Sequence, residues 1–224
     1  MISIIDYQMG NLRSVQKAFE RMGFEAVITD DVSVMMDSDG VVLPGVGAFG
    51  DCCAELRTRG LVDPLLEWID SGRPFFGICL GLQILLTDSE ESGQTPGLNV
   101  FAGRVKRFDV GDLKIPHMGW NQVRYAAGGN GEESGRICPL FEGIPDGTYF
   151  YFVHSYYVLP DDPSVVAGVT DYGGNFVSAV WSGNVFATQF HPEKSQEAGL
   201  KLIENFGRLA EGAPRRERLE TGTQ

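Results

Sequence analysis

The stretch PFFGICLGLQ, residues 74–83, sets one cysteine between two glycines. The short apolar run before Cys79 is typical of a buried strand, and Leu80, Ile84 and Leu85 continue with helical spacing. The sequence therefore predicts a strand, a tight turn at Cys79 and a helix.

A cysteine at such a corner is well placed to act as a nucleophile. A strained strand-to-helix turn projects the side chain, and Gly77 and Gly81 would leave room for a substrate to reach it. The N–H groups and dipole at the start of the following helix favour a thiolate and can hold an oxyanion. The alternative is a buried structural cysteine, the commoner fate of a free thiol, but the flanking glycines favour the nucleophile.

A cysteine nucleophile needs a base, and the chain has three histidines, His117, His154 and His191. His191 follows a strand-like run, and Glu193 lies two residues later, on the same side of an extended segment. We therefore expect a relay in which His191 takes the thiol proton of Cys79 and Glu193 orients His191. His154 ranks second because no acidic residue lies two positions after it.

Four motifs together resemble a known family. They are Gly77–Gln83 (GICLGLQ), Phe190–Lys194 (FHPEK), Pro44–Gly47 (PGVG) and Pro116–Asn121 (PHMGWN). The first two resemble the class I, or triad, glutamine amidotransferases. Within that family, the other two resemble the glutaminase subunits of imidazole glycerol phosphate synthases. The resemblance covers about residues 1–210.

The resemblance implies a three-layer α/β fold, with a nucleophile elbow in a mostly parallel sheet and added antiparallel strands. It implies a catalytic triad of Cys79, His191 and Glu193 and an oxyanion hole made by the N–H groups of Val46 and Leu80. The positions that match glutamine contacts are Gly47, Gln83, Ser155 and Tyr156. Those expected to face a partner protein are Asn11, Trp120, Tyr151 and Lys194.

By the same resemblance, glutamine is hydrolysed to glutamate and ammonia with no metal or organic cofactor. The ammonia would pass to a separate cyclase subunit, a (β/α)₈ barrel, so that the two form a heterodimer. The products would be imidazole glycerol phosphate and an aminoimidazole carboxamide ribonucleotide, in histidine biosynthesis. The expected partners are therefore glutamine and the cyclase.

Three alternatives remain open at the level of sequence. A glutaminase serving another synthase, such as anthranilate synthase, shares the elbow and the triad, although the motif Pro116–Asn121 argues against it. A cysteine amidase or peptidase on the same scaffold would differ in not hydrolysing free glutamine. A non-catalytic interaction subunit is disfavoured because Cys79, His191 and Glu193 are all present.

Composition narrows the class of protein further. A chain of 224 residues suits one α/β domain, and the formal net charge of −12 argues against nucleic acid or an anionic membrane as a partner. No apolar run approaches the length of a membrane span. The four cysteines have no metal-ligand spacing, so we expect reduced thiols and a cytoplasmic protein.

The periodicity predicts alternating strands and helices in the first half of the chain. Strands are expected at 2–5, 26–28 and 40–43, with a helix that carries Leu12, Val15 and Phe19 and stops at Gly23. This alternation predicts a parallel sheet with helices on both faces. The first turn, Asp6-Tyr7-Gln8, departs from the Asp-Tyr-Gly typical of the family.

From Gly103 onward the pattern favours strands. They are expected at 105–108, 122–125, 148–158, 165–169, 176–181 and 185–190, with hairpin turns at 173–175 and 182–184. A surface loop is expected at 126–135, a last helix at 196–210 and a disordered tail at 211–224, leaving one domain at 1–210.

Overall fold

The computed structural model describes residues 1–91, 93–126 and 136–213. Nearly all of the expected loop at 126–135, and all but the first three residues of the expected tail at 211–224, lie outside these ranges. The last helix continues beyond its predicted end, to Gly212, so the first residues assigned to the tail are helical.

Strands and helices alternate in the first half of the described chain, and strands dominate the second half. The strands are β1 (Ile2–Ile5), β2 (Ala26–Thr29), β3 (Gly40–Gly45), β4 (Phe75–Cys79), β5 (Leu86–Ser89), β6 (Thr95–Pro96), β7 (Phe101–Arg107), β8 (His117–Tyr125), β9 (Thr148–His154), β10 (Tyr156–Pro160), β11 (Val166–Asp171), β12 (Asn175–Ser182) and β13 (Val185–Thr188). The helices are α1 (Leu12–Arg21), α2 (Val32–Met36), α3 (Phe49–Thr58), α4 (Val62–Asp70), α5 (Leu80–Gln83) and α6 (Gln196–Gly212).

The centre of the sheet is parallel, as predicted. Its strands follow the order β2-β1-β3-β4-β13, and each neighbouring pair is parallel. From β12 the sheet continues through antiparallel partners to β10 and β7, and a branch leads through β11 to β8 and β9. Because β4 and β13 lie side by side and parallel, the segments that follow them emerge at the same edge.

The central strands bury side chains on both faces, which makes three layers. Phe76 of β4 packs on one face with Phe19 of α1 and Phe206 of α6. Its neighbour Phe75 packs on the other face, in a cluster with side chains of α3 and α4 that includes Trp68. This alternation is what a strand buried on both faces requires. Among the helices within the described ranges, none is long and apolar enough to cross a membrane.

Two predicted elements differ from the structure. The segment 148–158 forms two strands, β9 and β10, that are separated at Ser155. The helix expected to run through Ile84 and Leu85 is the single turn α5. The carbonyl groups of Ile84 and Leu85 instead accept hydrogen bonds from Leu98 and Val100, so tertiary pairing overrides the helical pattern.

The first turn adopts a backbone conformation that favours glycine, although its third residue is Gln8. Gln8 has a φ of 65°, in the left-handed region, and its N–H donates to Oδ1 of Asp6 at 2.9 Å. The departure from the typical Asp-Tyr-Gly therefore leaves the turn in place but adds backbone strain. At the end of α1, Gly23 has a φ of 88°, as expected for a residue that stops a helix.

Candidate active site

Cys79 lies at the corner between β4 and α5. Its φ of 56° and ψ of −105° fall outside the regions that non-glycine residues ordinarily adopt. Such a conformation costs on the order of 1–3 kcal/mol and persists only where the surrounding structure holds it. The side chain is nearly buried and borders a cavity.

The two flanking glycines serve the backbone rather than the substrate. A Cβ at Gly77 would lie 2.6 Å from the carbonyl oxygen of Gly81, and a Cβ at Gly81 would overlap the carbonyl oxygen of Leu43 in β3. The expectation that they leave room for substrate is therefore wrong. Their lack of a side chain lets the turn after Cys79 fold back against β3 and β4.

His191 lies just beyond β13, the parallel neighbour of β4. Its backbone N–H donates to the carbonyl of Tyr151 at 2.9 Å, which fixes the segment against β9. Nδ1 of His191 lies 2.9 Å from Oε1 of Glu193, and both side chains are almost completely buried. Among the described residues, Nε2 of His191 has no hydrogen-bond partner of ordinary geometry.

The electrostatics of His191 couple it to Cys79. Burial alone lowers the pKa of His191, because it disfavours the charged imidazole. The Cys79 sulfur and the Glu193 carboxylate outweigh burial and raise the pKa to about 10. His191 is therefore well suited to take up and hold a proton beside the sulfur.

A cavity of about 320 Å³ opens at the corner. Its volume lies in the range of pockets for small ligands. It is lined by Val46, Gly47, Cys79, Leu80, Gln83, Glu91, Pro116, Val153, His154, Ser155 and Tyr156. The cavity thus brings together both residues expected to form the oxyanion hole and all four expected to contact glutamine.

The loop expected to supply one oxyanion donor starts beside the cysteine. Gly45, the last residue of β3, pairs in register with Cys79, and Val46 follows it. The hydroxyl of Tyr7 donates to the carbonyl of Pro44 at 2.7 Å, which holds the end of β3. Gly47 has a φ of 104°, so the loop turns away immediately after Val46.

The side-chain amide of Gln189 also reaches Cys79, and Gln189 is not among the predicted site residues. Nε2 of Gln189 lies 3.6 Å from Sγ of Cys79, and Gln189 is fully buried. Its Oε1 accepts from Nε2 of Gln83 at 3.1 Å. The spacing of two residues from His191 in an extended segment could have identified it, by the argument that identified Glu193.

Glu91 is also a cavity residue that the sequence analysis did not identify. Its Oε2 accepts from the backbone N–H of Phe49, at the start of α3, at 2.8 Å. Among the described residues that line the cavity, it is the one acidic side chain. No local motif surrounds it, and only the fold brings it near Cys79.

His154, the second-ranked base, is engaged elsewhere. Its Nδ1 lies 2.7 Å from the carbonyl oxygen of Tyr156, so it carries the proton there, and its Nε2 lies 3.0 Å from Nδ1 of His117. Nε2 of His117 in turn lies 3.2 Å from Nδ2 of Asn121. Burial lowers the pKa of His117 to about 4 and that of His154 to about 3, so both are neutral near pH 7.

Three of the four residues expected to face a partner cluster at one surface. Trp120 and Tyr151 form an edge-to-face pair with centroids 6.2 Å apart, and Nζ of Lys194 lies 5.8 Å from the Tyr151 ring. Asn11 is exposed at the start of α1, a helix that packs against Pro192–Lys194.

Comparison with known proteins identifies the family. The profile of the family described as Glutamine amidotransferase class-I matches residues 3–209. The chain belongs to the class I glutamine amidotransferases. Within the described ranges of this amidotransferase, no group of three or more His, Cys, Asp or Glu side chains is arranged to hold a metal ion.

Curated relatives narrow the family further. The imidazole glycerol phosphate synthase subunit HisH of Syntrophotalea carbinolica is 56% identical over 213 residues, which cover 92% of this chain and 99% of the relative. HisH of Geobacter sulfurreducens is 53% identical over 214 residues, with coverage of 93% and 98%. This amidotransferase is therefore a member of the HisH group.

Solved structures agree with the fold. A crystal structure of a glutamine amidotransferase aligns with a TM-score of 0.70 at 20% identity, covering 94% of this chain and 98% of the other. A chain of the PurLQS structure from Thermotoga maritima aligns with a TM-score of 0.69 at 20% identity, covering 92% and 96%. The predicted class I amidotransferase fold is confirmed.

Proposed function

We propose that this chain is the glutaminase subunit of an imidazole glycerol phosphate synthase and supplies ammonia for a step of histidine biosynthesis. The observation that carries the proposal is the position of Cys79, at a strained corner beside the buried His191–Glu193 pair and at the wall of a cavity. The relatives named HisH, at 53% and 56% identity over nearly their whole length, support the same assignment.

The first half of the reaction forms a thioester. The thiolate of Cys79 attacks the side-chain amide carbon of glutamine, and the amide oxygen becomes an oxyanion. The N–H groups of Leu80 and Val46, whose residues flank the sulfur in the cavity wall, stabilise that charge. The imidazolium of His191 then gives its proton to the departing nitrogen, and ammonia leaves.

The second half regenerates the enzyme. Neutral His191 takes a proton from water, which attacks the thioester carbon, and glutamate is released as the sulfur leaves. Glu193 holds Nδ1 of His191 at 2.9 Å, which keeps Nε2 directed at the sulfur and stabilises the imidazolium in both halves.

Recognition of glutamine as a free amino acid rests on the charged end of the substrate. The carboxylate of Glu91 suits the α-ammonium group, and the hydrogen bond from Phe49 fixes its orientation. Gly47, Gln83, Ser155 and Tyr156 line the same cavity and offer polar backbone or side-chain groups to the rest of the molecule. A substrate without an α-ammonium would lose the contact with Glu91.

Ammonia transfer requires a second subunit at the same edge of the sheet. Met118 and Trp120 are exposed on β8, close in sequence to Pro116 of the cavity wall. Trp120 pairs across the sheet with Tyr151, whose ring lies near Lys194, and Met118 pairs with Val153 of the cavity wall. An aromatic and apolar surface of this kind suits a protein interface. We infer that the cyclase, a (β/α)₈ barrel in our proposal, docks here as one half of a cytoplasmic heterodimer.

The experiment compares two nitrogen sources. The chain is combined with a cyclase subunit, and imidazole glycerol phosphate is measured with glutamine or with ammonium salt. Cys79→Ala should lose glutamine-dependent synthesis by about three orders of magnitude or more, since members of a triad act as a unit, and should keep ammonium-dependent synthesis. Cys53→Ala, which removes another buried thiol outside the cavity, is the matched control and should keep both activities.

Glutamine-dependent activity of Cys79→Ala above a tenth of the wild-type value would contradict the assignment of the nucleophile. Loss of ammonium-dependent synthesis in the same mixture would instead indicate that the cyclase itself is inactive.

A further inference from the structure

Gln189 contacts the reacting sulfur, yet no step of the proposed reaction uses it. It is fully buried just beyond β13 and reaches across to the neighbouring strand, where its Nε2 lies 3.6 Å from Sγ of Cys79. This distance suits a hydrogen bond to sulfur, which is larger than oxygen. The other end of the amide, Oε1, accepts from Nε2 of Gln83 at 3.1 Å.

The orientation of both amides follows from one backbone atom. Nε2 of Gln83 lies 3.1 Å from the carbonyl oxygen of Tyr156, which can only accept, so the nitrogen of Gln83 must face it. The second N–H of that nitrogen then donates to Oε1 of Gln189. The nitrogen of Gln189 is consequently the end that faces Sγ, and a reversed amide would leave two oxygens or two nitrogens opposed.

An amide N–H in this place favours the charged form of the sulfur. A buried thiolate has lost its water, so a fixed donor replaces part of the lost solvation. Unlike the imidazolium of His191, the amide does not give up a proton during the reaction, so it donates a hydrogen bond throughout. The bond weakens when the sulfur becomes a neutral thioester, because an uncharged sulfur is the poorer acceptor.

We propose that Gln189 is a catalytic residue of this site, which holds the Cys79 thiolate through its side-chain N–H and is itself fixed by Gln83 and the carbonyl of Tyr156. The proposal rests on the proposed role of Cys79 as the nucleophile. Alkylation of Cys79 by iodoacetamide tests it separately, because alkylation needs a thiolate and neither glutamine nor a partner.

The variants are Gln189→Met, which keeps an unbranched side chain but removes the donor, and Gln189→Glu, which places a second oxygen against the sulfur. The alkylation rate of Cys79 is measured against pH by mass spectrometry. In Gln189→Met the pH of half-maximal rate should rise by about one to two units, the effect of a hydrogen bond to a charged group. In Gln189→Glu it should rise further. Glutamine hydrolysis should fall at neutral pH and recover in part at high pH.

The other titratable groups near the sulfur are unchanged by these substitutions. They are His191, with Glu193 behind it, the hydroxyl of Tyr7, and His154 and Glu91 of the cavity wall. A shift in the Gln189→Met profile therefore reports the lost N–H, whereas the shift in Gln189→Glu also includes the charge of the new carboxylate. An unchanged half-maximal pH in a folded Gln189→Met would overturn the proposal.

Ser178→Ala is the matched control. The backbone N–H of Gln189 donates to the carbonyl of Ser178 at 2.9 Å, so the two residues are neighbours. The buried hydroxyl of Ser178 has no hydrogen-bond partner among the described residues. Removing that hydroxyl should leave the alkylation profile unchanged.

The wild-type chain provides the test if both variants at 189 fail to fold. In ¹⁵N–¹H spectra, the side-chain amide signals of Gln189 should shift over the same pH range in which alkylation develops. They should not shift in Cys79→Ala. A Gln189 signal that is insensitive to pH in the wild-type chain would contradict the proposal.

Discussion

The hydroxyl of Tyr7 donates to the carbonyl oxygen of Pro44 across 2.7 Å, two residues before Val46. Tyr7 is fully buried, so this bond holds the end of β3 in place beside the cavity. Gly45 cannot carry a side chain, because a Cβ there would lie against the Tyr7 hydroxyl and 2.8 Å from Cβ of Leu80. The first peptide free to adjust its orientation is therefore the one between Gly45 and Val46.

Tyr7→Phe should lower kcat for glutamine. The substitution leaves the buried carbonyl of Pro44 without its donor, and the loop that carries the Val46 N–H loses its anchor. A missing oxyanion donor costs about a hundredfold or more, so a partly misplaced one should cost about tenfold, with KM little changed. Steady-state kinetics of the complex measure this.

Cys52→Ala is the control for Tyr7→Phe. Cys52 contacts the same hydroxyl, but the bond to Pro44 stays intact in this variant. It should keep kcat within about twofold of wild type. Equal losses in the two variants would mean that general packing around Tyr7, and not the loop anchor, sets the rate.

Trp120→Ala should weaken binding of the cyclase and leave this subunit folded. The side chain is 45% exposed and pairs edge-to-face with Tyr151, as suits an aromatic anchor of an interface. Truncation of such an anchor costs about 2 kcal/mol, or roughly thirtyfold in Kd. Calorimetric titration with the cyclase measures the change.

Leu159→Ala serves as the control for Trp120→Ala. Leu159 is similarly exposed, at 47%, but lies on β10, away from the Trp120–Tyr151 pair. Its truncation should leave Kd unchanged. An unfolded Trp120→Ala would instead indicate that Trp120 supports the sheet.

The pair His117 and His154 should make the fold sensitive to acid. Burial holds the pKa of each below the ordinary value of 6.5, at about 4 and about 3. Above pH 6.5 both are neutral in the folded and unfolded chain, and the pair contributes its full stability. As the pH falls from 6.5 towards 3, the unfolded chain takes up protons that the folded pair cannot, so the free energy of unfolding falls.

His117→Gln should reduce that dependence, because glutamine does not titrate. Denaturant unfolding at pH 7 and pH 4.5 should give a smaller difference in the free energy of unfolding for the variant than for wild type. Tyr172→Phe is the control, since Tyr172 stacks on His117 with centroids 4.1 Å apart and phenylalanine keeps that ring. The difference in the free energy of unfolding between pH 7 and pH 4.5 should be the same for Tyr172→Phe as for wild type, even if the variant is less stable at both pH values.

Gln8→Gly should stabilise the fold. The left-handed φ of 65° costs a side-chain-bearing residue roughly 1–2 kcal/mol, and glycine adopts it freely at an entropic cost of about 0.5–1 kcal/mol. The free energy of unfolding should therefore rise by about 0.5–1 kcal/mol, or a few degrees in Tm. Lys17→Gly, on the exposed side of α1, should instead lower the free energy of unfolding.

Local motifs made much of this site predictable from sequence. Cys79 lies between two glycines, and Glu193 lies two residues after His191. Each of these two relations is local in the sequence, so short-range geometry was enough to predict it. The strands and helices of the parallel sheet followed from periodicity in the same way. Fold-level predictions based on these patterns are confirmed.

What the sequence did not indicate depends on contacts across the sheet. Glu91 lies in a stretch without a motif, and its hydrogen bond to the start of α3 holds it at the cavity. Tyr7 lies in the first turn, but its hydrogen bond to Pro44 depends on the pairing of β1 with β3. The helix after Cys79 ends early because the carbonyl groups of Ile84 and Leu85 find partners more than twelve residues away. Such long-range partners leave no periodic signal in the chain.

The carbonyl oxygen of Tyr156 accepts from Gln83 on one side and from His154 on the other. Both of its lone pairs are thus engaged, and two chains of hydrogen bonds meet there, one leading to Cys79 and the other through Asn121 to the carbonyl of Asp171. Because this junction is a main-chain atom, replacing the Tyr156 side chain does not remove it. A mutational scan that changes only side chains would not test this atom, although rotation of its peptide unit would disturb the hydrogen bonds that lead to Cys79 and to Asn121 together.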